Sequence, residues 1–244
     1  MPDPTPANAY TDRPDDALRP VTIEPFPTAA PGSVVIAAGH TRVLCTASIA
    51  ANPPKWIKRD DDGNPTHGWV TAEYAMLPGS TPDRKRRGTD GRSTEIQRLI
   101  GRALRAAVDL DKMPGLAITC DCDVLNADGG TRTAAITGAM VALTQALNAA
   151  QSDGLISTSP ILSPIAAVSV GIVEGRPMLD LDYPRDVSAD VDMNVVMNAN
   201  GEFIEVQGTG ESATFSRDQL NTLLDLAAKG ITELQAIQQA TLSV

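Results

Sequence analysis

The stretch Leu116-Ala117-Ile118-Thr119-Cys120-Asp121-Cys122-Asp123-Val124, running on through Asn126-Ala127-Asp128-Gly129-Gly130-Thr131-Arg132, decides how the rest of the chain reads. Leu116, Ile118, Cys120, Cys122 and Val124 alternate with Ala117, Thr119, Asp121 and Asp123, the period of a strand buried on one face. The glycines then stop the strand, and the Ala-rich run to about Ala150, with Gly138 inside it, predicts a helix packed closely on several sides. A glycine corner between strand and helix lets backbone amides approach a ligand with no Cβ in the way, and the helix dipole adds partial positive charge. Thr131 brings a hydroxyl and Arg132 a planar fork suited to phosphate. The Walker spacing ending in Gly-Lys-Ser/Thr is missing, so the corner does not advertise nucleoside triphosphate hydrolysis. Taken by itself, such a turn is more often an ordinary tight connection.

Upstream, Ile96, Leu99, Ile100, Ala103, Leu104, Ala107 and Val108 keep the spacing of one buried helical stripe, predicting a helix over 94–108. Thr94 with Gln97 reads as its capping box, with Arg92 just ahead of the helix start. Further strands are expected at Ser33 to Ala37, Thr41 to Ile49 and Trp69 to Met76, and in the second half at Ala166 to Val173, Met178 to Tyr183, Met193 to Met197 and Glu202 to Gln207. Asn200-Gly201 makes the last pair a hairpin, and Ser216 with Gln219 caps a closing helix. Helices follow strands in both halves, so the class is α+β: a flexible tail over 1–17, then a single domain over 18–244 with similar halves at about 18–150 and 160–244. The breaker-rich segment Asn52 to Gly68, with Asp60, Asp61 and Asp62, reads as a surface loop.

No run approaches the roughly 20 apolar residues of a membrane span, and no secretory signal opens the chain, so a cytoplasmic protein without a membrane partner is expected. Cys45, Cys120 and Cys122 lack metal-knuckle spacing and read as small buried hydrophobes. The net charge of −10 argues against a nucleic-acid partner until its distribution is seen. Arg84, Lys85, Arg86, Arg87, Arg92, Arg98, Arg102 and Arg105 face only Asp90 and Glu95, so this stretch carries +6 and the remainder −16. That basic loop and helix face suits a phosphate backbone, or equally a solvated surface. With so few aromatic residues, base stacking is not expected to dominate, and His40, His67, Trp69 and Tyr74 read as structural or solvent-exposed. In the second half Asp180, Asp182, Asp186, Asp190 and Asp192 cluster around Tyr183-Pro184-Arg185; paired carboxylates can hold a divalent ion or a proton for a leaving oxygen, although acidic loops are commonly just solvated.

Long words across the chain resemble bacterial ribonuclease PH: Arg19-Pro20-Val21-Thr22-Ile23, Val70-Thr71-Ala72-Glu73-Tyr74, Glu95-Ile96-Gln97-Arg98-Leu99-Ile100-Gly101-Arg102, Ala127-Asp128-Gly129-Gly130-Thr131-Arg132-Thr133 and Asp192-Met193-Asn194-Val195-Val196-Met197. The resemblance implies a ribosomal-protein-S5-domain-2-like fold, mixed sheets with helices packed on them, assembled as a homo-hexamer, a trimer of dimers. It implies a phosphate-dependent 3′-to-5′ exoribonuclease that trims tRNA precursors and other RNA 3′ ends, releases nucleoside diphosphates and runs backward to add nucleotides. Inorganic phosphate is then the co-substrate, held by Arg92, Gly130, Thr131 and Arg132. Asp186 and Asp192 become the catalytic pair and the expected ligands of Mg2+. Arg84, Lys85, Arg86 and Arg87, with Arg98 and Arg105 on the helix, are the expected RNA contacts. The family commonly writes Gly-Gly-Arg-Thr where this chain has Asp90-Gly91-Arg92-Ser93, which retains the hydroxyl. Arg185 is expected to lower the Asp186 pKa or to touch RNA. A catalytically silent RNA-binding ring subunit of an exosome-like complex is the alternative, and a phosphate-binding metabolic enzyme a further one.

Overall fold

A computed structural model describes residues 13–51, 53–88 and 90–243. Two sheets flank one buried helix. The first sheet has the order β1-β2-β3-β5-β4, built from β1 (Val21–Pro25), β2 (Gly32–Ala38), β3 (Thr41–Ala50), β4 (Trp69–Met76) and β5 (Ala117–Asn126). Its pairs are antiparallel except β4 with β5, which run parallel because α1 (Gly91–Ala106) crosses between them. The second sheet, β7-β6-β8-β9, is antiparallel throughout: β6 (Ile165–Val173), β7 (Arg176–Leu179), β8 (Ala189–Asn198) and β9 (Phe203–Gly210). Between them runs α2 (Thr131–Ser152), against β2 and β3 on one side and β6 on the other, with the closing helix α4 (Arg217–Leu242) beside it.

This sandwiching explains why α2 is apolar all round. A Cβ on Gly138 would sit 2.8 Å from Cys45 Sγ and 2.8 Å from Ile36 Cγ2, so the helix lies directly on β2 and β3. Cys45, Cys120 and Cys122 are buried free thiols, and burial holds the Cys120 thiol well above its ordinary range, as expected of core hydrophobes. Gly201 turns the β8–β9 hairpin with φ 80°, and Ser216 and Gln219 form the reciprocal capping box of α4.

Several boundaries differ from the sequence reading. Helix α1 begins at Gly91, not Thr94: the Asp90 carboxylate accepts the Ser93 N–H at 2.7 Å, and the Thr94 hydroxyl is drawn to the Asp90 carbonyl, so Arg92 lies inside the first turn. Strand β7 stops at Leu179 rather than reaching Tyr183. Asp180 takes a left-handed φ of 56° to turn its carboxylate inward, and Asp182 then caps a short helix, α3 (Tyr183–Ser188), which, like β1, is not among the elements expected from the sequence. The expected tail falls on residues 1–12, outside the described residues, and on 13–17, which are docked. Arg13 pairs with Asp180 at 3.1 Å, and Leu179 N–H donates to the Asp15 carbonyl at 2.7 Å.

Candidate active site

The glycine corner is built against the segment that leads into α3. Gly129 and Gly130 have φ of 71° and 64°, a conformation open to residues without a Cβ, and a Cβ on Gly129 would lie 2.5 Å from the Leu181 carbonyl. Thr41 stitches the corner from below, accepting from Asp128 N–H at 2.9 Å and donating to the Gly129 carbonyl at 2.6 Å. Beneath it lies buried Arg19, which donates to the Asp128 carbonyl and holds Asp180 through Nε at 2.9 Å and Nη2 at 2.7 Å. Burial alone would raise the Asp180 carboxyl; the Arg19 charge and hydrogen bonds outweigh it and keep it below its ordinary value. One buried ion cluster therefore ties the corner at the start of α2 to the strand end that precedes α3.

Five of the expected residues meet above this base. Thr131 and Arg132 occupy the first turn of α2, and Arg92 the first turn of α1. Arg132 is held by Gln207 Oε1 at 3.1 Å and by Glu95 at 3.7 Å. Asp186 on α3 feels the charges of both arginines, and Asp192 on β8 that of Arg132. Burial raises the Asp186 carboxyl while Arg92, and less strongly Arg132, pull it down. Burial, then the neighbouring charge of Asp186, push Asp192 up to about 6 against the pull of Arg132. Asp192 Oδ1 is buried and, among the described residues, has no hydrogen-bond partner. Two positive charges at two helix starts thus lie beside two carboxylates, of which Asp192 takes up a proton far more readily than an ordinary aspartate. That arrangement can bind an oxyanion and deliver a proton beside it.

Other expected site residues lie elsewhere. Arg84, Lys85, Arg86 and Arg87 are exposed on the loop between β4 and α1, and Arg98 is exposed on α1. Arg105 is tied to its own fold: its Nη1 donates to the Val70 carbonyl at 2.8 Å and its guanidinium sits 4.5 Å from the centre of the Trp69 ring. Of the acidic cluster, Asp180 is consumed by Arg13 and Arg19, Asp182 by the α3 cap, and Asp190 accepts from the Ser212 hydroxyl at 2.8 Å. Arg185 does not lower Asp186; it turns toward Arg13, donating to its carbonyl at 3.5 Å. Four contributors escaped the sequence reading. Glu211 raises both carboxylates, Glu95 and Gln207 hold Arg132, and Tyr74, read as structural, reaches Thr131 Oγ1 at 2.8 Å. Alternation along β4 predicts the burial of Tyr74, but nothing local signals where its hydroxyl ends.

An α+β frame that brings arginines at two helix starts toward a carboxylate pair has the charge arrangement of a phosphate-handling enzyme. The models of the 3′ exoribonuclease family match it, domain 1 over residues 17–147 and domain 2 over 163–230, and the chain belongs to that family. Within the family it stands with ribonuclease PH. It is 54% identical over 238 residues to Ribonuclease PH of Corynebacterium efficiens, covering 95% of each chain, and 52% identical over 240 residues to Ribonuclease PH of Neisseria gonorrhoeae, covering 96% of this chain and 97% of that one. In fold it is similar to a chain of the Archaeoglobus fulgidus exosome with RNA bound to the active site, with a TM-score of 0.78 at 22% identity, over 92% of this chain and 90% of that one. A chain of an archaeal exosome core follows at 0.74 and 20%, over 93% and 89%.

Proposed function

We propose that the protein is a phosphate-dependent 3′-to-5′ exoribonuclease that trims tRNA precursors in the cytoplasm, working as a homo-hexamer. The observation that carries the reading is the meeting of Arg92 and Arg132 with Asp186 and Asp192 beside the Gly130-Thr131 corner. Inorganic phosphate sits against the amides of the corner, the Thr131 hydroxyl and the two guanidiniums, which orient it and neutralise its charge. A phosphate oxygen attacks the phosphorus of the last internucleotide bond as the bond from that phosphorus to the 3′ oxygen breaks. Asp192, the carboxyl raised to about 6, gives its proton to the departing 3′ oxygen. The products are a nucleoside diphosphate and an RNA one nucleotide shorter, and an excess of diphosphate reverses the reaction. The Asp186 carboxylate, close enough to Asp192 for its charge to raise that group, fits the hard, oxygen-preferring Mg2+, which takes one or two carboxylates and fills its shell with phosphate oxygens and water. Asp186 is the one that would hold it, with Asp192 adjacent. Mg2+ would supply further charge neutralisation at the phosphate oxygens.

The exposed arginines between β4 and α1 hold the body of the RNA through its phosphates. Similarity to exosome core chains supports ring assembly, which sedimentation or light scattering of the purified protein tests by mass. No described helix is long and apolar enough to cross a membrane. The decisive assay offers a tRNA precursor with a 3′ extension: shortening from that end must require phosphate and stop without it. Replacing Arg86 and Arg87 with alanine is expected to weaken tRNA binding about tenfold near physiological salt and to flatten the salt dependence by roughly two in slope. An unchanged slope would remove these residues from the interface. A silent ring subunit would bind RNA and leave it intact; the retained Arg132, Asp186 and Asp192 weigh against that outcome.

A further inference from the structure

We infer that Tyr74 is a positioning residue for the phosphate site: by donating its phenolic O–H to Thr131 Oγ1, it turns the Thr131 hydroxyl into a dedicated donor toward the bound anion. The inference rests on the phosphate reading above and adds a residue to it. Tyr74 lies on β4 opposite Cys122 of β5 and is 2% exposed, so its ring is fixed by the core. Its hydroxyl alone reaches the site, 2.8 Å from Oγ1 of the residue that opens α2.

A threonine hydroxyl has one hydrogen and two lone pairs, and a free rotor presents either to a ligand. Facing an oxyanion, a lone pair repels and only the hydrogen attracts. The phenol, far more acidic than an aliphatic alcohol, is the donor of the pair. Burial pushes the Tyr74 phenol up, more than the Thr131 hydrogen bond and the charges of Arg92 and Arg132 lower it, so the proton stays on it. With one Oγ1 lone pair occupied by Tyr74, the Thr131 hydrogen is directed elsewhere. At the open start of α2, beside Arg132, the group best able to accept it is the anion. Tyr74 thus sets the direction of a hydrogen bond that it does not itself make to phosphate.

The test is kinetic, on the full-length protein. Tyr74→Phe, which removes one oxygen from a packed ring, is expected to raise KM for phosphate roughly three- to tenfold, the size of one neutral hydrogen bond. It should weaken competitive inhibition by sulfate by the same factor and leave KM for RNA unchanged. Thr131→Ala should do at least as much, Thr131→Ser should restore most of the loss, and Tyr74→Phe in the Thr131→Ala background should add nothing. Thermal unfolding reports any loss of packing separately. If Thr131→Ala weakens phosphate while Tyr74→Phe does not, or if the two effects add, the positioning role is wrong and the phosphate site stands. If Thr131→Ala leaves KM for phosphate and sulfate inhibition untouched, the phosphate reading of the corner fails, and this inference with it.

Discussion

Asp192→Asn is expected to cut phosphorolysis by about a hundred- to ten-thousandfold, the range covered by loss of a general acid, while RNA affinity is unchanged or slightly tightened. The side chain keeps its shape and loses only the proton it would deliver, so KM values should hold while kcat falls. The same variant has a stability signature. The Asp192 carboxyl is raised from 3.8 to about 6, so the folded protein binds more protons than the unfolded chain across that interval, and the wild type loses stability as pH rises through it. In metal-free buffer, Asp192→Asn should therefore melt higher than wild type at pH 8 and gain little at pH 4. A variant that is inactive yet no more stable at pH 8 would place the carboxylate in a less buried, more solvated setting than the one seen. A variant with substantial turnover would remove Asp192 from the proton path.

Asp180→Ala is expected to be the most destabilising single change in the site region, by roughly 3–5 kcal/mol, because it strands charged partners in the interior. The side chain of Arg19 is 1% exposed and that of Arg13 7%, and both depend on the Asp180 carboxylate. Asp180→Asn separates charge from shape: asparagine tolerates the left-handed φ of 56° yet cannot neutralise Arg19. It should cost nearly as much as alanine and, in the folded fraction, raise KM for phosphate, since Arg19 also holds the Asp128 carbonyl under the corner. Chemical denaturation measures the first effect. A cost below about 1 kcal/mol for both variants would mean that the cluster is solvated and does not brace the site.

These expectations depend on features that were unequally visible in the sequence. The β5–corner–α2 unit was legible because strand period, paired glycines and an all-round apolar helix are local signals. The hairpin at Asn200-Gly201 and the Ser216–Gln219 box were legible for the same reason. The start of α1 was obscured because Asp90 and Thr94 lie one helical turn apart and both resemble caps, while Gly91 between them argues against a helix. Arg105 counts with the cationic face by spacing, but its side chain folds back on Val70 and Trp69. The sorting of five aspartates into two beside the arginines and three occupied elsewhere is a long-range matter. It follows from buried Arg19, and from the closeness of Gly129 to Leu181 across about fifty residues of chain. The family resemblance singles out Asp186 and Asp192 where spacing alone leaves all five open.

The most direct test of the central claim is to follow labelled inorganic phosphate during trimming of a tRNA precursor. The account predicts that the label becomes the terminal phosphate of released nucleoside diphosphates, one per nucleotide removed, and that Arg132→Ala suppresses this incorporation far more than it weakens RNA binding. Release of unlabelled nucleoside monophosphates at a rate indifferent to phosphate would contradict it.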